Sequence, residues 1–332
     1  MSGYKTALQV TPCYLKEHNI TLVASVSGGK DSTATILQLK EWEVPFIPVF
    51  ADTGNEHEAT LEYVDKLPQM TGCPPIIKVK ADFASRFAGK RKFIANDTRC
   101  PNQTGRRRGW STQAKERALR HLQPTGIPFL DLCMLKGRFP SRRAQFCTRE
   151  LKQIPIYEQV QEPLINEGKS VWSVQGIRWE ESPNRAGLPY LDADRAIDDR
   201  MYHFRPILHW TVEDVFTIHR RHAVAPNPLY KQGMTRVGCL PCINAKKDEV
   251  FEIARRWPHH IDRIRTWEKT VGMCSKRMQS TFFASGFLPY GDLIPNIDDV
   301  VQWSATMRGG LQFDLMKLLP PAVCASVYGL CE

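Results

Sequence analysis

Short apolar runs alternate with amphipathic stretches in the first half of the chain. Residues 20–27, 45–50 and 75–79 are mostly apolar, which is typical of strands buried on both faces of a sheet. Between them, residues 31–42 and 56–70 carry apolar side chains at helical spacing. Because strands alternate with helices, the pattern predicts an α/β fold with a doubly wound, mostly parallel sheet.

Further along, the same pattern predicts one more strand and several helices. The strand spans residues 170–176, and helices are expected at residues 112–122, after Cys147 and across residues 246–278. Pro155 should interrupt or end the helix after Cys147, and Thr211 should cap the start of another. We therefore divide the chain into a sheet domain at residues 1–210 and a C-terminal helical region at residues 211–332.

The segment at about residues 88–110 lacks periodicity and is rich in Arg, Lys, Gly and Asn. It is predicted to be a long basic surface insertion. Its Lys and Arg side chains could bind nucleic-acid phosphates, and Trp110 could stack on a base. A solvated charged loop and a docking site for an acidic protein remain alternatives.

Composition excludes some classes of protein. Of the 332 residues, 42% are hydrophobic and 24% charged, which is ordinary for a soluble domain. No apolar run approaches the roughly 20 residues that span a bilayer, and the first residues lack the apolar core of a signal peptide. We therefore expect a cytoplasmic protein without membrane contact. The net charge of +10 suits a polyanionic partner such as DNA or tRNA, or simply a basic surface.

A glycine-containing turn stands between the first predicted strand and the first long helix. Its sequence is Ser27-Gly28-Gly29-Lys30-Asp31-Ser32. The glycines let the backbone approach phosphate oxygens, and the amides at the helix start supply positive potential. Lys30 can neutralise phosphate charge, and Asp31 can ligate Mg²⁺. The turn lacks the Walker spacing of kinase-type phosphate loops.

This hexapeptide resembles the signature of the PP-loop, or adenine nucleotide α-hydrolase, superfamily. The resemblance implies that ATP is cleaved between its α and β phosphates, that a substrate is adenylylated and that pyrophosphate is released. It also implies that the six residues hold the β and γ phosphates.

Two further segments resemble the phosphoadenosine phosphosulfate (PAPS) reductase-like branch of that superfamily. Residues 49–54 resemble its Asp-Thr-Gly segment, and residues 175–182 its Gly-Ile-Arg…Glu-Ser motif. The resemblance implies contacts to the adenylyl group and phosphates from Phe50, Ala51, Asp52, Gly176, Arg178 and Arg185. A helix-capping role for Asp52 and solvated surface positions for the two arginines remain alternatives.

The chain has ten cysteines, of which Cys239 and Cys242 are spaced to converge on one metal or cluster. Cys147 lies in a segment that resembles the cluster-bearing relatives, and the resemblance implies a [4Fe-4S] cluster on these three thiolates. For the fourth ligand we favour Cys133 over Cys274. A three-cysteine cluster with one open iron, a zinc site, and free thiols or a redox disulfide stay open.

The sequence as a whole favours an ATP-dependent adenylylating enzyme linked to sulfur transfer, similar to DNA phosphorothioation and tRNA thiolation enzymes. Lys30, Asp31 and Arg178 are the predicted catalytic residues, and a sulfur-donor protein is an expected partner. The alternatives are a PAPS or adenylylsulfate reductase, an ATP sulfurylase small subunit, and a non-catalytic nucleotide-sensing regulator. Cys331 lies in a tail that lacks the order of the reductases' catalytic motif. The oligomeric state is left open.

Overall fold

A computed structural model of the chain describes residues 10–101, 109–283, 295–307, 312–314 and 324–330. Its centre is a six-stranded sheet in the order β3-β2-β1-β4-β6-β5. The strands are β1 (Ile20–Val26), β2 (Phe46–Asp52), β3 (Ile77–Lys80), β4 (Ser170–Val174), β5 (Leu191–Ala193) and β6 (Met201–Phe204). All neighbours pair in parallel except β5 and β6, which are antiparallel.

Helices flank this sheet and continue beyond it. In chain order they are α1 (Pro12–Glu17), α2 (Lys30–Glu41), α3 (Glu58–Thr71), α4 (Ala84–Ala95), α5 (Thr112–His121), α6 (Pro128–Lys136), α7 (Phe146–Thr148), α8 (Ile154–Ile156), α9 (Glu162–Asn166), α10 (Pro183–Ala186), α11 (Val212–Arg221), α12 (Lys247–Arg256), α13 (Pro258–Cys274) and α14 (Ile297–Ser304). None of the helices in the described ranges is long and apolar enough to cross a bilayer.

Apolar side chains cover the sheet on both faces. Adjacent residues of β1 point to opposite sides, as the pleat requires. Leu22 packs in a cluster with Ile36 of α2, and Val23 packs in another with Ile156 of α8. The doubly covered, mostly parallel sheet confirms the predicted fold class.

A separate and larger apolar cluster lies among the later helices. It joins Phe129 of α6 to Trp267 of α13, whose rings stack with centroids 5.6 Å apart. Phe282 lies against Phe129 as well, at 5.9 Å. Segments on both sides of residue 210 therefore share one core.

The basic segment differs from its prediction. Residues 88–95 are not a loop but belong to α4, because Phe87 and Ile94 face the core and anchor one side of the helix. Trp110 is only 5% exposed and lies in the same cluster as Phe129, so the expectation that it stacks on a base is wrong. Residues 102–108, which include the predicted phosphate-binding arginines at 106–108, lie outside the described residues.

Pro155 does not end its helix, contrary to the sequence prediction. The chain stays helical from Phe146 to Asn166 because two π-helical turns, Arg149–Gln153 and Tyr157–Gln161, flank α8. The wider turns accommodate a residue that cannot donate a backbone hydrogen bond. The Thr211 cap is confirmed, since its hydroxyl accepts from Asp214 N.

Candidate nucleotide-binding site

The phosphate loop links the end of β1 to the start of α2. Gly28 adopts a φ of +71°, and a Cβ there would lie 3.0 Å from Thr60 Cγ2, so this position requires glycine. The Ser32 hydroxyl donates to Gly29 O at 3.0 Å and accepts from Ser27 N at 3.2 Å. These bonds hold the turn in shape at the carboxyl edge of the sheet, where open α/β folds bind ligands.

A chain of alternating charges runs from the loop to the segment after β4. Lys30 Nζ lies 2.9 Å from one oxygen of Asp31, and Arg178 Nε lies 2.6 Å from the other. Arg178 also donates to Glu180 at 2.7 Å. Burial is the largest influence and lowers the pKa of the Arg178 guanidinium, but the charge and hydrogen bond of Asp31 together with Glu181 and Glu180 raise it above its usual value. The three central groups are mostly buried, so each depends on its partner for charge compensation.

Residues distant in sequence support the loop from behind. Lys30 N donates to the Tyr230 hydroxyl at 3.0 Å, and Asn227 Nδ2 donates to Gly28 O at 3.2 Å. His219 Nε2 lies 3.0 Å from Lys30 O. The Tyr328 ring lies 5.2 Å from Lys30 Nζ, close enough for a cation–π contact. The loop is therefore preorganised by the second half of the chain.

A cavity of about 770 Å³ opens in front of the loop. Most of the residues predicted to bind nucleotide line it, namely Ser27, Gly29, Lys30, Asp31, Ser32, Phe50, Ala51, Gly176 and Arg185. Gly176 approaches the loop closely, because a Cβ there would lie 2.9 Å from Asp31 O. Arg185 forms an ion pair with Glu181 at the cavity wall.

Three predicted binding residues do not line the cavity. Gly28 faces Thr60 and Val64 instead. Asp52 turns back to accept a hydrogen bond from Gly54 N at 2.9 Å, which forms a local turn; it does not cap a helix, since His57 caps α3. Arg178 contacts the phosphate loop through Asp31, and its other partners are Glu180 and Glu181, which follow Arg178 in sequence. In this structure Arg178 therefore orients a carboxylate and does not face the ligand space.

The segment after β2 pairs directly with the Cys-x-x-Cys segment. Leu240 N donates to Asn55 O at 2.7 Å, and Asn55 Nδ2 donates to Pro241 O at 3.1 Å. Buried Glu56 accepts from Thr53 Oγ1 at 2.6 Å, and Cys239 Sγ lies 3.6 Å from the same carboxylate. The Asp-Thr-Gly turn and the cysteines thus form one continuous structure.

The four predicted metal ligands are close enough for the charge of one cysteine to change the pKa of another. A charge on Cys147 raises the pKa of Cys133 in α6, and a charge on Cys242 raises the pKa of both Cys147 and Cys239. Burial raises the pKa of Cys239 to about 12, and the ammonium of Lys152 opposes this shift. The Cys239 thiol is therefore neutral in this structure and must lose its proton to bind a metal.

Cys274 stands apart from this group. Burial raises its pKa to about 12, and its charged neighbour is Arg117, with no thiol contributing among the described residues. The charge of Cys147 thus acts on Cys133 and not on Cys274, although all three lie in the same apolar cluster. Four cysteine thiols from three segments, with Lys152 near them, are the kind of donors that an iron–sulfur cluster takes. Among the described residues no three of these sulfurs lie within 4.8 Å of one another, which is wider than a closed zinc site.

Glu56, Lys152 and Tyr230 line the cavity but carry no role in the sequence prediction. The side chain of Tyr230 belongs to an Asn-Pro-Leu-Tyr segment that follows the sheet domain in sequence, so its contact with Lys30 has no local signal. Lys152 lies five residues after Cys147, and Glu56 follows the Asp-Thr-Gly turn. Their closeness in sequence to these motifs could have identified both as site residues.

Comparison with known proteins adds an independent finding. The family model of the phosphoadenosine phosphosulfate reductase domain matches residues 21–245. A protein of Escherichia phage 186, described as an uncharacterized 37.8 kDa protein in gpa 5'region, is 46% identical over 330 residues, covering 93% of this chain and 96% of that protein. The adenosine 5'-phosphosulfate reductase of Bacillus pumilus is 34% identical over 98 residues, covering 30% of this chain and 38% of the reductase. Among solved structures, PAPS reductase from Candida auris in a phosphate complex covers 71% of this chain and 91% of that chain, with 16% identity and a TM-score of 0.41.

Proposed function

Because the chain belongs to the phosphoadenosine phosphosulfate reductase domain family, we propose that it is an ATP-dependent adenylylating enzyme linked to sulfur transfer. It would split ATP into AMP and pyrophosphate and would pass sulfur to the activated acceptor. The observation that carries this proposal is a single cavity lined by both the phosphate loop and the residues beside the cysteines. Ser27 and Lys30 line it together with Glu56 and Lys152.

The loop residues bind the leaving pyrophosphate. The amide of Gly29 and the hydroxyls of Ser27 and Ser32 are donors within reach of the cavity. Lys30 supplies a cation that is already desolvated, so its interaction with phosphate charge is stronger than it would be in water. Arg178 acts as a positioning residue, because it fixes Asp31 rather than the phosphates.

Asp31 is the residue that would hold Mg²⁺, together with phosphate oxygens. Its carboxylate oxygens are hard donors, and its side chain lines the cavity. The ion would neutralise charge on the departing pyrophosphate. In the structure one Asp31 oxygen pairs with Lys30 and the other with Arg178. One of these ion pairs must therefore break when nucleotide and Mg²⁺ bind.

Cys133, Cys147, Cys239 and Cys242 would hold the iron–sulfur cluster. When bound, such a cluster supplies an iron site to which sulfur can bind, or a purely structural anchor. The chain's own contribution is the cation of Lys152, whose pKa is raised chiefly by the charge of Cys239. Lys152 faces both the cysteines and the cavity, so it can also orient an anionic acceptor.

The proposed acceptor is a nucleic acid, DNA or tRNA, served by a sulfur-donor protein. The net charge of +10 favours a polyanion. Exposed Arg149 and Arg236 lie at the cavity wall, where they can contact phosphates of a strand whose reactive group enters the cavity.

The reaction is tested by product analysis. With ATP, Mg²⁺ and a screen of DNA, tRNA and sulfate, the enzyme should release pyrophosphate as the acceptor is adenylylated, and AMP once added sulfide displaces it from the adenylylated acceptor. The variant Lys30→Met should lose at least about a hundredfold in rate, as expected for loss of a preorganised charge. Lys66→Met, on the exposed face of α3, is the matched control. Release of ADP and phosphate would overturn the proposal.

Reduction of a preformed sulfonucleotide is the second candidate. The similarity to adenosine 5'-phosphosulfate reductases and the gathered cysteines favour it. A reductase would release sulfite and AMP from adenylylsulfate with a thiol reductant and without ATP. Sulfite release without pyrophosphate formation in the acceptor screen would replace the first proposal with this one.

A further inference from the structure

A cluster of histidines with one glutamate lies outside the cavity, where α3 and α13 begin. Among the described residues, His57, Glu58 and His260 offer three ligand atoms that all lie within 4.8 Å of one another. His260 Nε2 lies 3.2 Å from Glu58 Oε2, and His57 Nδ1 lies 3.6 Å from the same oxygen. His259 Nε2 is 4.0 Å from the other oxygen of Glu58. We propose that these four residues form a binding site for a divalent transition-metal ion, with zinc as the best fit.

The spacing suits a tetrahedral ion. Zinc–ligand bonds of about 2.0–2.1 Å separate neighbouring ligand atoms by roughly 3.3 Å. The 3.2 and 3.6 Å distances from Glu58 Oε2 to His260 and His57 are close to that value. His259, whose Nε2 is 4.0 Å from the other Glu58 oxygen, has to swing inward to become the fourth ligand. Three imidazoles and one carboxylate are donors that select zinc and its neighbours, whereas Mg²⁺ and Ca²⁺ prefer oxygen alone.

The two buried rings have unmet bonding capacity. His57 is 7% exposed and His260 fully buried, yet His57 Nε2 and His260 Nδ1 have no hydrogen-bond partner. Each orphan is the second nitrogen of its ring, so the nitrogen that faces Glu58 is the one that would bind the ion. Ala59 N donates to His57 Nδ1 at 3.0 Å, and an ion bound at that atom would replace this amide.

The charges nearby permit a cation. Glu58 supplies a carboxylate whose side chain is 67% exposed, which gives an ion a route of entry from solvent. Arg263 is the nearest cation whose charge acts on His260. Arg263 is itself engaged, donating to Asn55 Oδ1 at 3.1 Å and to Leu240 O at 2.7 Å.

The ion would join two distant parts of the chain. His57 and Glu58 follow directly on the turn that pairs with the Cys-x-x-Cys segment, whereas His259 and His260 lie in the first turn of α13. An ion at this point would hold α13 against that turn. The site would therefore be structural and independent of the reaction in the cavity.

Cobalt titration of the full chain tests the site, because Co²⁺ reports its ligands spectroscopically. Besides any cobalt bound by the cysteine thiols, which gives a strong near-ultraviolet band, the wild-type chain should bind one ion with the visible bands of tetrahedral nitrogen and oxygen coordination. Glu58→Gln and His259→Gln change exposed side chains and should weaken binding at least tenfold, since even residues that only support metal ligands typically contribute about 10–100-fold. Zinc should raise the melting temperature of the wild-type chain but not of these variants.

Glu62→Gln is the matched control, because Glu62 lies one turn further along α3 and pairs with Lys66. It should leave cobalt affinity unchanged. The proposal is overturned if no ion binds, if only thiolate bands appear, or if Glu58→Gln binds cobalt as tightly as Glu62→Gln. His260→Asn is a further variant, and the exposed variants decide the question if it fails to fold.

Discussion

The hydroxyl of Tyr230 is a small group on which the phosphate loop depends. It accepts the hydrogen bond from Lys30 N at the first residue of α2, in a fully buried position. A helix start presents amides without partners inside the helix, and this one is satisfied by a side chain 200 residues away. Removing the Tyr230 hydroxyl would therefore leave Lys30 N, a buried donor, without its partner.

Tyr230→Phe should lower the free energy of unfolding by about 1–3 kcal/mol and weaken nucleotide binding, because the unpaired amide loosens the loop. Chemical denaturation and calorimetric titration with a non-hydrolysable ATP analogue measure the two effects. Tyr328→Phe is the control, since its hydroxyl donates to Thr235 O and its ring remains near Lys30. Equal nucleotide affinity in the two variants would contradict this role.

At this scale the sequence identified the loop but not all of its contacts. The hexapeptide lies at the cavity because its signal is local: a strand, two glycines and a helix start. Arg178 was assigned to the phosphates, yet its partner is Asp31, 147 residues away in sequence. Such pairing depends on how β4 is placed beside β1, which no local pattern contains.

The fit of β4 against α2 is the tightest contact between elements at the site. Gly176 follows β4, and a Cβ there would lie 2.9 Å from both Asp31 O and Thr35 Oγ1. One of these is backbone and cannot swing aside. The glycine therefore determines how closely the sheet approaches the loop helix.

Gly176→Ala should destabilise the chain by about 1–3 kcal/mol, the usual cost of overpacking. It should also reduce nucleotide affinity, because α2 must shift. Gly89→Ala, inside α4 with open space around it, should instead be neutral or stabilising by up to about 1 kcal/mol. Thermal melts of both variants compare the two sites, and similar losses would refute the packing argument.

Asp97 holds together the ends of the basic segment after α4. Its carboxylate accepts from Arg99 Nε at 2.7 Å and from Trp110 N at 3.1 Å. The hydrogen bonds from Arg99 are the main cause that lowers the pKa of Asp97 to about 2. Residues 99 and 110 are thereby fixed to one buried side chain.

Since the folded pKa of Asp97 lies below the unfolded value near 4, its stabilising effect is complete above about pH 4 and is lost as the pH falls toward 2. Asp97→Asn should therefore lower stability at neutral pH and remove part of the acid sensitivity between these values. Denaturant unfolding at several pH values measures both effects. Asp65→Asn, at an exposed position on α3, should leave the pH profile almost unchanged.

Elements with strong periodicity were predicted well, and the failures have physical causes. The first three strands and α2, α3 and α5 lie within a few residues of their predicted bounds. The helix through Pro155 was not foreseen because π turns are selected by packing and not by residue type. No strand was predicted at β5 or β6, which are three and four residues long.

Across the whole molecule, the cysteines show how distant segments converge. Cys133 comes from α6, Cys147 from α7, and the last two from the loop before α12. Spacing in sequence indicated Cys239 and Cys242, and the family resemblance added Cys147. The choice of Cys133 over Cys274 as the fourth ligand stays a prediction. The division of the chain at residue 210 stays a prediction.

Anaerobically purified chain should be brown and contain about four irons. Cys147→Ser and Cys133→Ser should each lower the iron content, because both thiols belong to the coupled group. Cys274→Ser should retain it, since Cys274 neighbours Arg117 instead. Iron and sulfide analysis with visible absorption measures this. A colourless chain with one zinc in place of iron would assign the cysteines to a zinc site.

The alternating charges of Lys30, Asp31 and Arg178 have a consequence for how the protein can change over generations. Removing one partner of a buried ion pair typically costs about 3–5 kcal/mol, whereas replacing the whole set by matched apolar residues can be neutral. A lineage that loses one of these residues is thus under pressure to replace the others. We expect the three positions to covary among relatives, so that homologues fall into those with the complete triad and those with none of it.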